Sequence, residues 1–235
     1  MMSVPKIGIT TFINEDKLTI PTNYIRAVSE SDGTPLILPK ISKETQIKEQ
    51  IENIDALLLT GGDDIDPSLF GEDPHPALGN IEPGRDEYEL KLIEMALSKD
   101  MPILAICRGA QILNVSQGGS MLQDIYDQTE SPVIQHQQKA PKSHLSHAIN
   151  IAQPSLLFDI IGADTIMTNS FHHQANSQAG KGFHISAETN DGIVEAIEST
   201  VHKFVLALQW HPEACFATDE NSRKIFRAFI ESAIE

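Results

Sequence analysis

Four short apolar runs, KIGIT from Lys6, PLILP from Pro35, ALLLT from Ala56 and PILAI from Pro102, alternate with helical patterns over the first half of the chain. Runs this apolar offer no polar face to water, so each reads as a strand buried on both sides. Strands alternating with helices imply a parallel sheet. Between them, TNYIRAVSES after Pro21 reads as a helix capped by Thr22. RDEYELKLIEMALSK reads as an amphipathic helix whose Leu90, Ile93 and Leu97 recur at helical spacing. The stretch from Gly71 to Gly84 is rich in proline and glycine and is expected to be a surface loop beside the sheet's C-terminal edge. After about residue 120 the pattern changes: HAINI, FHISAE, GIVEAIE and KFVLALQW read as strands, and Asn190-Asp191-Gly192 between two of them signals a hairpin. The expected fold is α/β, a mostly parallel sheet flanked by helices, with an antiparallel extension in the C-terminal half. No repeat or linker divides the chain, so residues 1–235 read as a single domain.

Composition narrows the partners. With 33 acidic and 17 basic side chains the formal charge is −16, which repels phosphate backbones and anionic lipid, so neither nucleic acid nor a membrane is an expected partner. The N-terminus lacks the pattern of a signal peptide, and no segment approaches the about 18 continuous apolar residues of a spanning helix; the chain is expected to be cytoplasmic. Its two cysteines, Cys107 and Cys215, are then expected to be free thiols. A homodimer is compatible with the sequence.

Three stretches carry chemistry. In PILAICRGAQILNVSQGG an apolar strand ends at Cys107, followed by Arg-Gly and a helical pattern. Such an elbow lifts a nucleophile above the sheet edge, aims the next amide at a developing oxyanion and sets the side chain at a helix N-terminus, where thiolate is favoured. Ala105, Gly109 and Ala110 supply the small neighbours an elbow needs; taken alone, these residues suit an inert buried cysteine as well. In VLALQWHPEACF a strand runs into His211-Pro212-Glu213. Two residues apart in extended chain, the imidazole and carboxylate project to one side, so Glu213 can hold one ring nitrogen while the other faces a nucleophile. In LLLTGGDDID a buried strand ends in paired glycines, where the backbone can approach a ligand or simply turn.

In combination these elements resemble the class I glutamine amidotransferase-like proteins, in their γ-glutamyl hydrolase branch, and within it the bacterial γ-glutamyl-γ-aminobutyrate hydrolases. The matching residues are NYIRAVSESDGTPLILP, LLLTGGDDIDP, GRDEYEL, ILAICRGAQILNVSQGG, NSFHHQ and ALQWHPE, spread over nearly the whole chain. The resemblance implies a flavodoxin-like architecture and a cysteine hydrolase of small γ-glutamyl compounds that needs no metal or organic cofactor. It implies that Cys107 attacks the γ-carbonyl, that His211 moves the proton and that Glu213 orients His211. It further implies that the amides of Gly62 and Arg108 form the oxyanion hole, and that Gln111, Asn169, Ser170, Phe171, His172 and Gln174 belong to the glutamyl pocket. Ala105 departs from the glycine usual two residues before the cysteine.

Other features read as structural. His144 and His147 in SHLSH lack a metal-ligand spacing and are expected to be solvent-exposed loop residues. Cys215 reads as a packed thiol, and Arg85 and Asp86 as structural residues of a helix start; no dinucleotide or Walker fingerprint occurs. Two rivals to the hydrolase remain: a glutaminase supplying ammonia to a separate synthetase, and a γ-glutamyl-binding protein without turnover.

Overall fold

The computed structural model describes residues 4–234, so residues 1–3 and 235 of the expected single domain lie outside it. Strand β1 (Lys6–Thr10) leads into a small hairpin of β2 (Phe12–Asn14) and β3 (Lys17–Thr19). Then come α1 (Thr22–Ser29), β4 (Thr34–Leu38), α2 (Glu44–Glu52), β5 (Ala56–Leu59), a 3-10 turn at Pro67–Phe70, α3 (Pro83–Ser98), β6 (Ile103–Ile106) and α4 (Arg108–Ser116). The second half runs β7 (Ser120–Leu122), α5 (Ile125–Gln128), β8 (His147–Ile151), α6 (Leu156–Ile161), β9 (Thr165–Thr168) and β10 (Ala175–Gln178). It closes with β11 (Phe183–Thr189), β12 (Val194–Ser199), β13 (Val205–Leu208), α7 (Pro212–Cys215) and α8 (Glu220–Ser232).

Nine strands form one sheet in the order β4-β1-β5-β6-β13-β12-β11-β8-β9. Pairing is parallel from β4 through β13 and antiparallel from β13 to β9, so the expected parallel sheet with an antiparallel extension is present. Every residue of β5, β6 and β13 is buried, because helices cover both faces. Alternate side chains divide between two apolar layers: Leu58, Leu104 and Leu206 meet α1 and α8, whereas Leu57, Leu59 and Ile103 meet α2, α3 and α4. The register pairs Leu59 with Ala105 and Leu208 with Ile106. The C-terminal ends of β5, β6 and β13 therefore lie side by side, and the residues just beyond them meet at one sheet edge. The Asn190-Asp191-Gly192 turn does join β11 to β12, with Gly192 at φ 82°.

Four local expectations are corrected. PLILP, expected to be buried on both sides, forms the edge strand β4, where Leu38 is buried and Ile37 is exposed. Thr22 is the first residue of α1 rather than its cap: the Pro21 carbonyl accepts the first bond of the helix, from the Tyr24 amide at 3.2 Å, and no side chain caps this end. The buried face of α3 is formed by Arg85, Asp86, Tyr88, Glu89, Leu92, Ile93 and Ala96, while Leu90 and Leu97 are only partly buried. Apolar spacing misjudged this face because the helix also buries charge. His147 is not a loop residue but the first residue of β8, on the inward face with Ile149 and Ile151; His144 is exposed as expected. Among the described residues, no helix is long and apolar enough to cross a membrane.

Candidate active site

Cys107 stands between β6 and α4 at the N-cap of the helix, with φ 53° and ψ −111°. Positive φ is the strained backbone of the sharp strand-to-helix elbow that the sequence implies here. The close turn depends on Gly109, where a Cβ would lie 2.5 Å from the Leu59 carbonyl oxygen. Ala105, the departure from the family's elbow, packs its methyl within the buried core of β6. As the first helical residue, Arg108 has an amide with no intrahelical acceptor. Gly62, beyond β5, is exposed and lines the cavity, and a Cβ there would meet the Arg85 guanidinium at 2.2 Å and push it from its place.

His211 follows β13 and is buried, with Nδ1 2.7 Å from Glu213 Oε1. Burial opposes its positive charge, but Glu213 and Cys107 outweigh burial and raise its pKa to about 10. The backbone of His211 is clamped by Asn169, whose Oδ1 accepts from the His211 amide at 2.8 Å while Nδ2 donates to the His211 carbonyl at 3.0 Å. Asn169 and Ser170 are fully buried behind the cavity rather than in its wall; Ser170 Oγ donates to the His136 carbonyl at 2.7 Å. The other expected pocket residues, Gln111, Phe171, His172 and Gln174, do line a cavity of about 270 Å³ that reaches Cys107. Cys215 is buried away from that cavity, its thiol pushed up to about 12 by burial and the nearby Asp219 and Glu213 carboxylates.

Behind the elbow lies a buried ion cluster. Arg108 pairs with both Asp86 and Glu89 of α3, and Arg85 pairs with Glu89 at 2.9 Å. Arg85 Nη2 also donates to the Thr60 and Gly61 carbonyls at 3.0 and 3.1 Å. Arg85 thus ties the backbone just before Gly62 to α3, and Arg108 is tied to the same helix through its side chain, so Arg85 and Asp86 have the structural contacts expected of them. A second cavity of about 200 Å³ meets the first at Gly62, Cys107 and Phe171, and its wall adds Phe12, Asn23, Tyr24 and Lys142. A larger cleft of about 450 Å³, between residues 40–47 and α3, contains no cysteine or histidine and does not include Cys107.

The sequence profile of the Peptidase C26 family matches residues 4–213. The chain belongs to the Peptidase C26 family. It is 41% identical over 212 residues to YvdE, a glutamine amidotransferase-like protein of Lactococcus lactis, with 90% of this chain and 88% of that one covered. It is 31% identical over 246 residues to PuuD, the γ-glutamyl-γ-aminobutyrate hydrolase of Escherichia coli, with 98% and 94% covered. The crystal structure of a Thermoplasma acidophilum protein, described as one component of a GMP synthase, shares the fold, with a TM-score of 0.67 at 19% identity over 98% of this chain and 94% of that one.

Within this C26 chain, several site residues escaped the sequence reading. Tyr24 Oη accepts the Gly61 amide at 3.0 Å, and burial, Glu213 and Cys107 all push its phenol well above the usual value. Gln209 Nε2 donates to Cys107 Sγ at 3.6 Å and Gln111 Nε2 to Gln209 Oε1 at 3.2 Å. Asp63 and Asp64 place two carboxylates in the first cavity. Tyr24, Gln209, Asp63 and Asp64 all lie inside the stretches that carry the resemblance, but only tertiary convergence gives them a site.

Proposed function

We propose that the chain hydrolyses small γ-glutamyl amides through a γ-glutamyl thioester on Cys107, with γ-glutamyl-γ-aminobutyrate as substrate. The observation that carries the reading is the positive-φ thiol at a helix N-terminus, facing an imidazole held by a carboxylate. The Cys107 thiolate attacks the γ-carbonyl, and charge on the carbonyl oxygen is met by the Gly62 and Arg108 amides. The C–N bond breaks as His211 gives its proton to the departing amine. Water, deprotonated by His211, then attacks the thioester, and glutamate leaves with thiolate restored. Both thiols are free, which suits a reducing compartment.

The two cavities that meet at Cys107 support a division of the substrate. The one with Asp63, Asp64, Gln111 and Gln174 suits the glutamyl head, whose α-ammonium seeks carboxylates. The other offers Lys142, whose Nζ lies 5.3 Å from the Phe171 ring centre, to a leaving group that carries its own carboxylate. A panel of γ-glutamyl amines, γ-glutamyl amino acids, γ-glutamyl-γ-aminobutyrate, polyglutamylated folates and glutamine tests this with wild type, Cys107→Ala and Lys142→Ala. The expected outcome is turnover lost in Cys107→Ala, and KM raised in Lys142→Ala for carboxylated leaving groups but not for simple amines. Hydrolysis of glutamine alone would overturn the substrate assignment, as would tight binding of γ-glutamyl compounds without turnover.

A further inference from the structure

Four side chains from separate parts of the second half converge under the antiparallel sheet: His136 from the loop after α5, His147 from β8, His172 from the loop after β9 and Glu195 from β12. All are buried, with relative exposures of 0%, 7%, 4% and 0%. His136 Nδ1, His147 Nε2 and His172 Nε2 each lie 3.4 Å from the same atom, Glu195 Oε1. None of these three nitrogens, and neither Glu195 oxygen, has a hydrogen-bond partner among the described residues.

The opposite ring nitrogens explain which electrons point inward. His136 Nε2 lies 3.1 Å from Asp191 Oδ2, His172 Nδ1 lies 2.9 Å from the Gln174 carbonyl, and His147 Nδ1 lies 3.4 Å from the Ala148 carbonyl. Facing acceptors, these outer nitrogens can each carry their ring's N–H, which leaves the inner nitrogens able to present lone pairs beside the carboxylate. Lone pairs and a carboxylate repel one another in a dry interior, and an electrophile between them removes the conflict. Carboxylate or carbonyl partners on the outer nitrogens are also the usual supports of metal-ligating histidines.

We propose that His136, His147, His172 and Glu195 form a structural site for one divalent transition-metal cation, with zinc as the fitting ion. Ligand atoms about 2.0–2.2 Å from a tetrahedral zinc stand about 3.3–3.5 Å apart, and all three histidine-to-glutamate separations have that value. The chosen nitrogens of His136 and His147 and the Glu195 oxygen lie within 4.8 Å of one another, a group that does not include His172, so His172 Nε2 completes the tetrahedron only as its ring moves inward on binding. Three imidazoles and one carboxylate suit zinc over calcium or magnesium, which take oxygen ligands. With four protein ligands the site is closed and takes no part in the chemistry. Its effect on the cavity runs through His172, which lines the cavity wall while its Nδ1 holds the Gln174 carbonyl. The sequence carries no expectation of a metal, at His147 or elsewhere, and this site departs from that reading because its residues meet only in the folded chain.

Metal analysis of the full chain, loaded with zinc and washed with a weak chelator, tests the proposal independently of the hydrolase reading. One equivalent of zinc is expected in wild type and equally in Cys107→Ala, which removes the thiol of the candidate active site as a ligand. Glu195→Gln should lose the metal, and Asp191→Asn, which alters the support of His136 and keeps an acceptor oxygen for the Ile134 amide and Thr189 hydroxyl, should weaken binding by about 10–100-fold. Should Glu195→Gln fail to fold, Asp191→Asn and cobalt substitution of wild type decide, the latter giving the intense visible bands of a four-coordinate ion. Failure of wild type to bind either metal more tightly than micromolar, or uptake unchanged in Asp191→Asn and Glu195→Gln, overturns the site.

Discussion

At Cys107 the backbone adopts φ 53°, a conformation that costs a non-glycine residue about 1–3 kcal/mol and persists only where its surroundings enforce it. The enforcement comes from the helix it caps, the strand it ends and the arginine pairs behind both. His211 is held with equal care, by Glu213 at Nδ1 and by Asn169 at its backbone. If this imidazolium donates the proton to the leaving amine, activity should fall as pH rises through about 10, where His211 loses that proton. Glu213→Gln keeps the hydrogen-bond acceptor and removes the charge that opposes burial. Its alkaline limb should therefore move to lower pH in a kcat/KM profile, and an unmoved limb would remove His211 from the role. Removing the imidazole altogether should cost about 10²–10⁴ in rate, as loss of a general acid–base does. Cys215→Ser should remain active, since that thiol is buried and raised to about 12.

At the scale of elements, the site depends on how closely α4 approaches β5. Gly109 permits that approach, and Gly109→Ala would drive a methyl into the Leu59 carbonyl, 2.5 Å away. The expected result is a loss of about 1–3 kcal/mol of stability by denaturant melt, with a fall in kcat because Cys107 moves with the helix. Wild-type stability in this variant would mean the contact relaxes freely. The elements that place the nucleophile were the legible ones: β1, β5 and β6 are short apolar runs buried on both faces, and the elbow and its glycines are local. The strands β2, β3, β7, β9 and β10 were not legible, because three or four residues are too few to show alternation. The charged face of α3 was illegible for a different reason. Arg85, Asp86 and Glu89 look like a solvated first turn until Arg108, far along the chain, buries them. His147 did carry a usable signal, since it shares the inward parity of Ile149 and Ile151 in HAINI.

Over the whole molecule, the candidate site straddles two kinds of sheet. Cys107, His211 and the amides of Gly62 and Arg108 follow parallel strands, whereas Phe171, His172 and Gln174 come from the antiparallel half. Precise alignment of the two then requires that they not melt apart. Each apolar layer runs without a break across both: one joins Ile7 and Leu58 to Ile149 and Ile166, the other joins Leu57 and Ile103 to Val194 and Ile197. Trp210, the single tryptophan, sits just beyond β13, where parallel pairing gives way to antiparallel. A single cooperative unit predicts that denaturant unfolding followed by Trp210 fluorescence and by far-ultraviolet circular dichroism gives coincident transitions. Ile149→Ala, at a fully buried position of β8 in the antiparallel half, sharpens the test. It should cost about 2–5 kcal/mol and shift both transitions together, because the half it weakens cannot unfold alone. A circular dichroism transition that moved while the Trp210 transition stayed in place would show two domains where one is expected, with the candidate active site built across their boundary.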